Sequence, residues 1–338
     1  MKSLVLFNNK GGVGKTTLGY HIAHMMARRG LRVVVLDYDP QCNISAAFLR
    51  DEELEELWGG DEAPRGEGRT VFGCLENVRR GMGELLPPRL HQADDNLWLL
   101  PGHLGLSRFE QTLAEAWAKV LGTDNERELY LATALAALAQ AAGNSIDAHV
   151  VLVDVGPSLG ALNRSALLSC DAVALPVAPD LFSLQGLRNV GPTLRTWREN
   201  WRRALDYVAA SEGARLPRHQ FAPVGYIVQQ HLARADRPIK AYAEWVSRIP
   251  EEYHRHVLGE AEGYPGRYEL DPERIFLFRH YASLVPLALD ARKPMFDLKR
   301  ADGINGSLYK AVASCRKDVN ALVTELAKRL DVPIGEEV

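Results

Sequence analysis

The octet Lys10-Gly11-Gly12-Val13-Gly14-Lys15-Thr16-Thr17 carries the residue types needed to hold a chain of phosphates. Its glycines let the backbone curl, so that successive N–H groups turn inward toward phosphate oxygens. Lys15 is spaced to reach β- and γ-phosphates, and Thr16 offers a hydroxyl to Mg²⁺. An apolar run, Leu4-Val5-Leu6-Phe7, precedes the octet and a helical pattern begins near Thr17. Strand, glycine-rich turn and helix form the context such a loop requires. The helix N-terminus adds partial positive charge beneath the bound anion.

Carboxylates stand at the ends of two further apolar runs. Residues 32–37 close on Asp37, with Asp39 two positions on, and 149–154 closes on Asp154. Carboxylates at the C-terminal ends of parallel strands point into the ligand crevice of an open sheet. An acidic residue ending such a strand is placed to hold the shell of a magnesium ion.

The loop departs from the general phosphate-binding pattern, with Asn9 where glycine is expected and a second lysine, Lys10, at its start. In this form it resembles the deviant Walker A ATPases of the ParA/MinD group. Asp37-Tyr38-Asp39-Pro40-Gln41-Cys42-Asn43 resembles a further family segment, with Cys42 in place of the usual glycine. The turn Val155-Gly156-Pro157-Ser158-Leu159-Gly160 resembles the family's switch, with Gly156 in place of a proline. Asn96-Leu97-Trp98-Leu99-Leu100-Pro101, Phe182-Ser183-Leu184-Gln185-Gly186-Leu187 and Lys293-Pro294-Met295-Phe296 extend the likeness along most of the chain.

The resemblance implies ATP and Mg²⁺ as ligands, and an ATP-sandwich homodimer. It implies that Lys10 reaches the partner's nucleotide, that Lys15 and residues 11–17 bind phosphate, and that Asp39 orients the attacking water. Thr16, Asp37 and Asp154 would serve the metal, Asp37 through water. Arg279 and 281–286 fall where the family closes over the adenine, and the 155–160 turn is a candidate γ-phosphate sensor.

The elements that must position these residues follow from periodicity. Near-continuous apolar strands separated by amphipathic helices indicate an α/β fold with a mostly parallel twisted sheet flanked by helices. Helices are expected near 16–29, 106–121, 126–142, 184–205 and 306–330. The last has a core-facing stripe from Leu308 to Leu330. With 338 residues and no second phosphate loop, one ATPase domain is expected over 1–330, with insertions at about 50–70 and 240–273 and a 331–338 tail. Residues 50–70 read as a short helix and a mobile surface loop, and 250–273 as an inserted loop.

Composition narrows the function. Hydrophobic residues make up 46% and charged residues 25%, as in ordinary globular proteins. No apolar run approaches the length of a membrane span, and no leader precedes the first strand, so a cytoplasmic protein is expected. The chain end lacks a basic amphipathic membrane anchor. Four dispersed cysteines match neither a disulfide framework nor a zinc site, and disfavour an iron–sulfur electron donor. The net charge of −3 confines any nucleic-acid contact to a local patch.

Arg195, Arg198 and Arg202 share one helical face beside Trp197 and Trp201. That stripe fits nonspecific DNA phosphates, or equally a solvated face over a tryptophan core stripe. Two functions stay open. One is a partition or cargo-positioning ATPase on nucleoid DNA, with a protein partner stimulating hydrolysis. The other is a nucleotide-dependent switch in a mobile-element or phage-defence assembly, whose partner contacts 229–273. His231, His254 and His256 are expected on the surface.

Overall fold

The computed structural model describes residues 1–59, 68–121, 126–208, 221–230 and 239–336. In chain order these form β1 (Lys2–Leu6), α1 (Lys15–Arg28), β2 (Val33–Asp37), α2 (Asn43–Phe48), α3 (Asp51–Trp58), α4 (Val71–Arg80), β3 (His91–Asp94), β4 (Leu97–Leu100), α5 (Leu106–Trp117), α6 (Glu126–Ser145) and β5 (Val150–Asp154). There follow α7 (Ala161–Leu167), β6 (Ala172–Val177), α8 (Leu181–Val208), β7 (Ala222–Gln230), α9 (Ile239–Glu252), a π-helical segment Tyr253–Leu258, β8 (Arg274–Arg279), α10 (Val285–Ala291) and α11 (Leu308–Leu330).

The eight strands make one sheet in the order β3-β4-β2-β5-β1-β6-β7-β8. All pairs are parallel except the β3–β4 hairpin at one edge. β1, β2 and β5 have no exposed residue apart from the half-buried Lys2. Their Val/Leu-rich runs are buried on both faces, as a doubly covered parallel sheet demands. Helices α1, α10 and α11 cover one face and α4–α9 the other, each over its own continuous core. β1 lies between β5 and β6 although its own chain neighbour is β2. The strand order therefore reverses beside it and opens a crevice at the C-terminal strand ends.

The anticipated strands and helices are present to within a few residues, and the α11 stripe Cys315, Val319, Leu322, Leu326 and Leu330 is buried. The supposed mobile loop of 50–70 lies largely outside the described residues, whereas 51–58 is helical. The 250–273 stretch is helical over 250–258, which corrects the expectation of a loop there, and is mostly irregular from 259 to 273. It packs α9 and the π-helical segment onto α8, with Tyr253 fully buried and Val257 2% exposed. The contact is possible because position 191 is glycine: a Cβ there would meet the His256 carbonyl oxygen at 2.1 Å.

Candidate active site

The loop after β1 bends through left-handed residues at Gly12 (φ +72°) and Gly14 (φ +78°), where a side chain would be strained. Gly14 is constrained twice, since a Cβ there would also lie 2.8 Å from the Gln229 amide nitrogen on β7. Lys15 opens α1 and curls back into the loop. Its Nζ donates to the carbonyl of Asn8 (3.0 Å) and to that of Lys10 (3.4 Å). Asn8 is itself anchored through its amide to the Pro176 carbonyl at 2.7 Å. Burial pulls the Lys15 pKa down, against the charges of Asp154 and Asp39. A desolvated ammonium answered mainly by neutral carbonyls favours an anionic ligand.

Asp37 and Asp154 are register partners on the adjacent strands β2 and β5. Both are buried. Asp154 accepts from the Thr16 hydroxyl at 3.0 Å. Asp37 accepts from the Ser45 hydroxyl (2.5 Å) and amide (3.1 Å), and from the Asp39 amide at 3.1 Å. Burial nevertheless raises the Asp37 pKa to about 7. Burial, then the neighbouring Asp37 charge, raises Asp154 well above its ordinary value. Two desolvated carboxylates with a hydroxyl between them and the loop suit a divalent cation, which would relieve their repulsion. Among the described residues no group of three or more acidic, His or Cys side chains is placed as a metal cage. Magnesium, which keeps much of its water and uses phosphate oxygens, does not require one.

Asp39 is 5% exposed and lines the same cavity, with Oδ1 accepting from the Gln41 amide at 2.9 Å. The turn after β5 passes close by, so that a Cβ on Gly156 would stand 3.1 Å from that oxygen. Two neighbours pin the turn. Glu110 of α5 accepts from the amides of Ala161 (2.8 Å) and Leu162 (2.7 Å), and the Asn163 amide donates to the carbonyls of Gly156 (2.8 Å) and Ser158 (2.7 Å). Cys42, standing where the resembled family has glycine, adopts the left-handed conformation (φ 55°). The glycine-type turn is thus kept, at a backbone cost of about 1 kcal/mol.

The cavity, about 400 Å³, is lined by Gly11, Gly12, Val13, Gly14, Lys15, Thr16 and Thr17. Its far wall consists of Tyr20 and His21 from α1, with Val285, Ala288, Leu289, Lys293 and Met295 from the C-terminal third. His21 joins the two: Nδ1 bonds the Thr17 carbonyl at 2.6 Å, and Nε2 accepts from the Met295 amide at 2.9 Å. Burial lowers its pKa to about 4, so the ring is neutral. These wall residues went unrecognised apart from the 281–286 segment, which supplies Val285. Lys293 and Met295 belong to a segment expected to serve the fold rather than chemistry. Arg279 does not line the cavity; its guanidinium grips Asp318 with two bonds of 2.7 Å. Asp37 and Asp154 sit beneath the loop rather than in the lining, while Lys10 reaches away to Asp180 at 2.6 Å. Burial opposes the charge of Asp180, but its bonds from Lys10 and Ser183 hold its pKa below the ordinary value.

The α8 stripe is only partly available. Arg195 donates to the His256 carbonyl, Arg198 has its Nε buried, and Arg202 is exposed. Trp197 and Trp201 are core residues. His254 corrects the expectation of a surface histidine. It is buried between Glu260 (2.7 Å) and Asp271 (3.0 Å), and Asp271 also accepts from the Tyr226 hydroxyl at 2.6 Å. Burial works against its charge, yet its bonds to Asp271 and Glu260 leave its pKa raised. His231 lies outside the described residues.

Residues 1–207 match the family model of the AAA domain. Protein IncC of Escherichia coli is 32% identical over 221 residues, 65% of this chain and 53% of IncC. The chain thus matches about half the length of that relative. The chromosome-partitioning ATPase Soj of Treponema pallidum is 28% identical over 204 residues, covering 60% of this chain and 68% of Soj. Among solved structures, protein DIP2308 of Corynebacterium diphtheriae superposes with a TM-score of 0.70 at 24% identity, over 98% of this chain and 99% of that one. A putative plasmid partition protein of Borrelia burgdorferi bound to AMPPNP gives 0.56 at 14% identity, over 97% and 99%. These structural likenesses speak for the fold.

Proposed function

This chain belongs to the AAA domain family, among the ParA/MinD-type P-loop ATPases, and from that premise we propose that it binds ATP with Mg²⁺, hydrolyses it slowly, and closes on it as a homodimer. The work done is DNA partition or cargo positioning, in the cytoplasm and on nucleoid DNA. Residues 1–330 act as one ATPase domain with insertions at about 50–70 and 240–273. The observation that carries the reading is the buried Lys15 ammonium, held on loop carbonyls at the cavity, with the paired carboxylates Asp37 and Asp154 beneath the loop.

In this reading the amides of 11–17 and Lys15 bind the phosphates. Thr16, Asp37 and Asp154 would hold Mg²⁺, Asp37 through water, and the ion would supply neutralisation of phosphate charge. Asp39 orients the attacking water. Little covalent work falls to the protein, since placement and electrostatics dominate phosphoryl transfer. Lys10 of a second copy meets the charge developing in the transition state, after giving up its bond to Asp180. Tyr20, His21, Val285, Leu289 and Met295 receive the adenine; Arg279 serves only to brace α11. The turn 155–160 senses the γ-phosphate, and a protein partner accelerates turnover.

Sedimentation with ATP, ADP and no nucleotide tests the dimer. Wild type should dimerise only with ATP, and Lys10→Ala should lose dimer and turnover together. An unchanged dimer and turnover in that variant refute the trans role. A switch without DNA binding stays as a second reading, because Arg188 and Arg203 are ion-paired and Arg195 is spent on a carbonyl. A gel shift on random DNA separates the two. ATP-dependent, salt-sensitive retardation supports partition, and its absence supports the switch.

A further inference from the structure

The crevice between α5, α7 and α8 holds a cation with no anion. Arg164 of α7 lays its guanidinium over the Trp117 indole, 3.6 Å from the ring centroid. Its Nε is buried and has no hydrogen-bond partner, and among the described residues no carboxylate pairs with it. Trp117 cannot help, because its own N–H is spent on the Ser165 hydroxyl at 2.9 Å. Burial pulls the Arg164 pKa down to about 10. Two other half-buried arginines are answered, Arg28 by Asp297 and Arg188 by Glu252, whereas Arg198 on α8 shares the orphaned Nε but lies over no indole face in this crevice. A guanidinium desolvated without compensation is a standing cost, which a carboxylate arriving from outside would remove.

The space beside it, about 300 Å³, is walled by Trp117, Trp197, Leu159, Ala114 and Ala161. We propose that this crevice binds a carboxylate side chain carried on an apolar segment of a protein partner, with Arg164 as its anchor and Trp117 as the platform beneath. A single planar fork among apolar walls matches one carboxylate bidentately. A phosphate would need further donors, and the lining supplies no second basic residue. Arg198, one residue from Trp197, does not line the space.

The location gives docking a consequence. Leu159 and Gly160 of the crevice are also the last residues of the turn after β5, and Glu110 of α5 bonds the amides that follow. A segment seated there touches the turn that lies against Asp39. This coupling rests on the ATPase reading above, whereas the binding itself does not.

The test uses the full chain labelled with ¹⁵N and observes the Arg164 Nε–H resonance without nucleotide. Acetyl-Leu-Trp-Glu-Leu-Leu-amide is titrated against its glutamine counterpart and against acetate. The expected result is a saturable shift with the glutamate peptide, about tenfold weaker with glutamine and lost in Arg164→Leu at unchanged circular dichroism. Absence of any shift, equal affinity for the two peptides, or retained binding in Arg164→Leu overturns the proposal. Acetate binding as tightly as the peptide overturns the protein-segment assignment. Failure of the chain to bind ATP would leave this titration intact and remove only the coupling. Where ATP is turned over, the peptide should change wild-type turnover severalfold and leave Arg164→Leu unaffected; an unaffected wild type sinks the coupling.

Discussion

The loop after β1 and the layer formed by α8, α9 and the π-helical segment bury charge in opposite ways. Around the loop, charges are packed without being settled: Lys15 leans on carbonyls, and Asp37 faces Asp154 across a strand pair. In the outer layer most are settled within the chain, Arg188 on Glu252 and His254 between Glu260 and Asp271, with the Arg198 Nε as an exception. The first arrangement gains by taking a ligand; the second gains by staying as it is. Conserving stability and keeping reactivity are thus assigned to different parts of one sheet.

Four perturbations would break or sharpen that contrast. Lys15→Ala should weaken ATP binding by about 10²-fold and turnover by about 10³-fold, while the melting midpoint without ligand moves by only a few degrees. Calorimetric affinity equal to wild type would end the contrast at once. Asp271→Ala should cost about 3 kcal/mol in denaturant unfolding, since it takes from the buried His254 one of its two carboxylates and from the Tyr226 hydroxyl its acceptor. ATP affinity should stay within about threefold. A tenfold fall would mean that the layer and the loop are not separate.

Acidity should reveal both regions with the same sign. Asp37 has its folded pKa raised to about 7, so the folded state holds a proton that the unfolded chain has released, and stability falls as pH rises from about 4 to about 7. His254 has a raised pKa, so its contribution is complete below the ordinary histidine value and is lost as pH rises through the folded one. The ligand-free protein should therefore be more stable at pH 5 than at pH 8, by on the order of 2 kcal/mol. Asp37→Asn and His254→Gln should each flatten part of that slope in chemical denaturation, and a slope indifferent to both would show the assignment to be wrong. Asp180→Asn, which frees Lys10, should have the smallest effect, strengthening the ATP-dependent dimer by about two- to threefold in sedimentation. Weaker association would show that Asp180 itself serves the interface.

What could be read without coordinates follows the same division. Lys10 to Thr17, Asp37, Asp39 and Asp154 sit in short contiguous motifs at strand ends, where local spacing dictates placement. The left-handed turn at Cys42 was anticipated as a point of difference, yet the backbone holds its course against the side chain's preference. The far wall of the cavity is mostly not legible in the sequence because it joins Tyr20 and His21, inside an ordinary helical pattern, to Val285 and Met295 from the far end of the chain. Arg279 stands off the cavity lining on Asp318, a partner that nothing nearby in sequence announces. The burial of His254 is not legible in the sequence because both carboxylates that hold it lie beyond the end of its own helix. Edge strand β3, His-Gln-Ala-Asp, has no alternation to betray it.

The loop also meets the strand β7 that leads toward the outer layer, besides its direct contacts to Ser183 and Phe182 of α8. Gln229 presses its side chain on Gly14, and the described chain next resumes in α9, ten residues further on. A shift of that glycine's carbonyl by a fraction of its hydrogen bond would be felt one side chain away, at the root of the outer layer. News of an occupied phosphate loop has the length of one glutamine to travel.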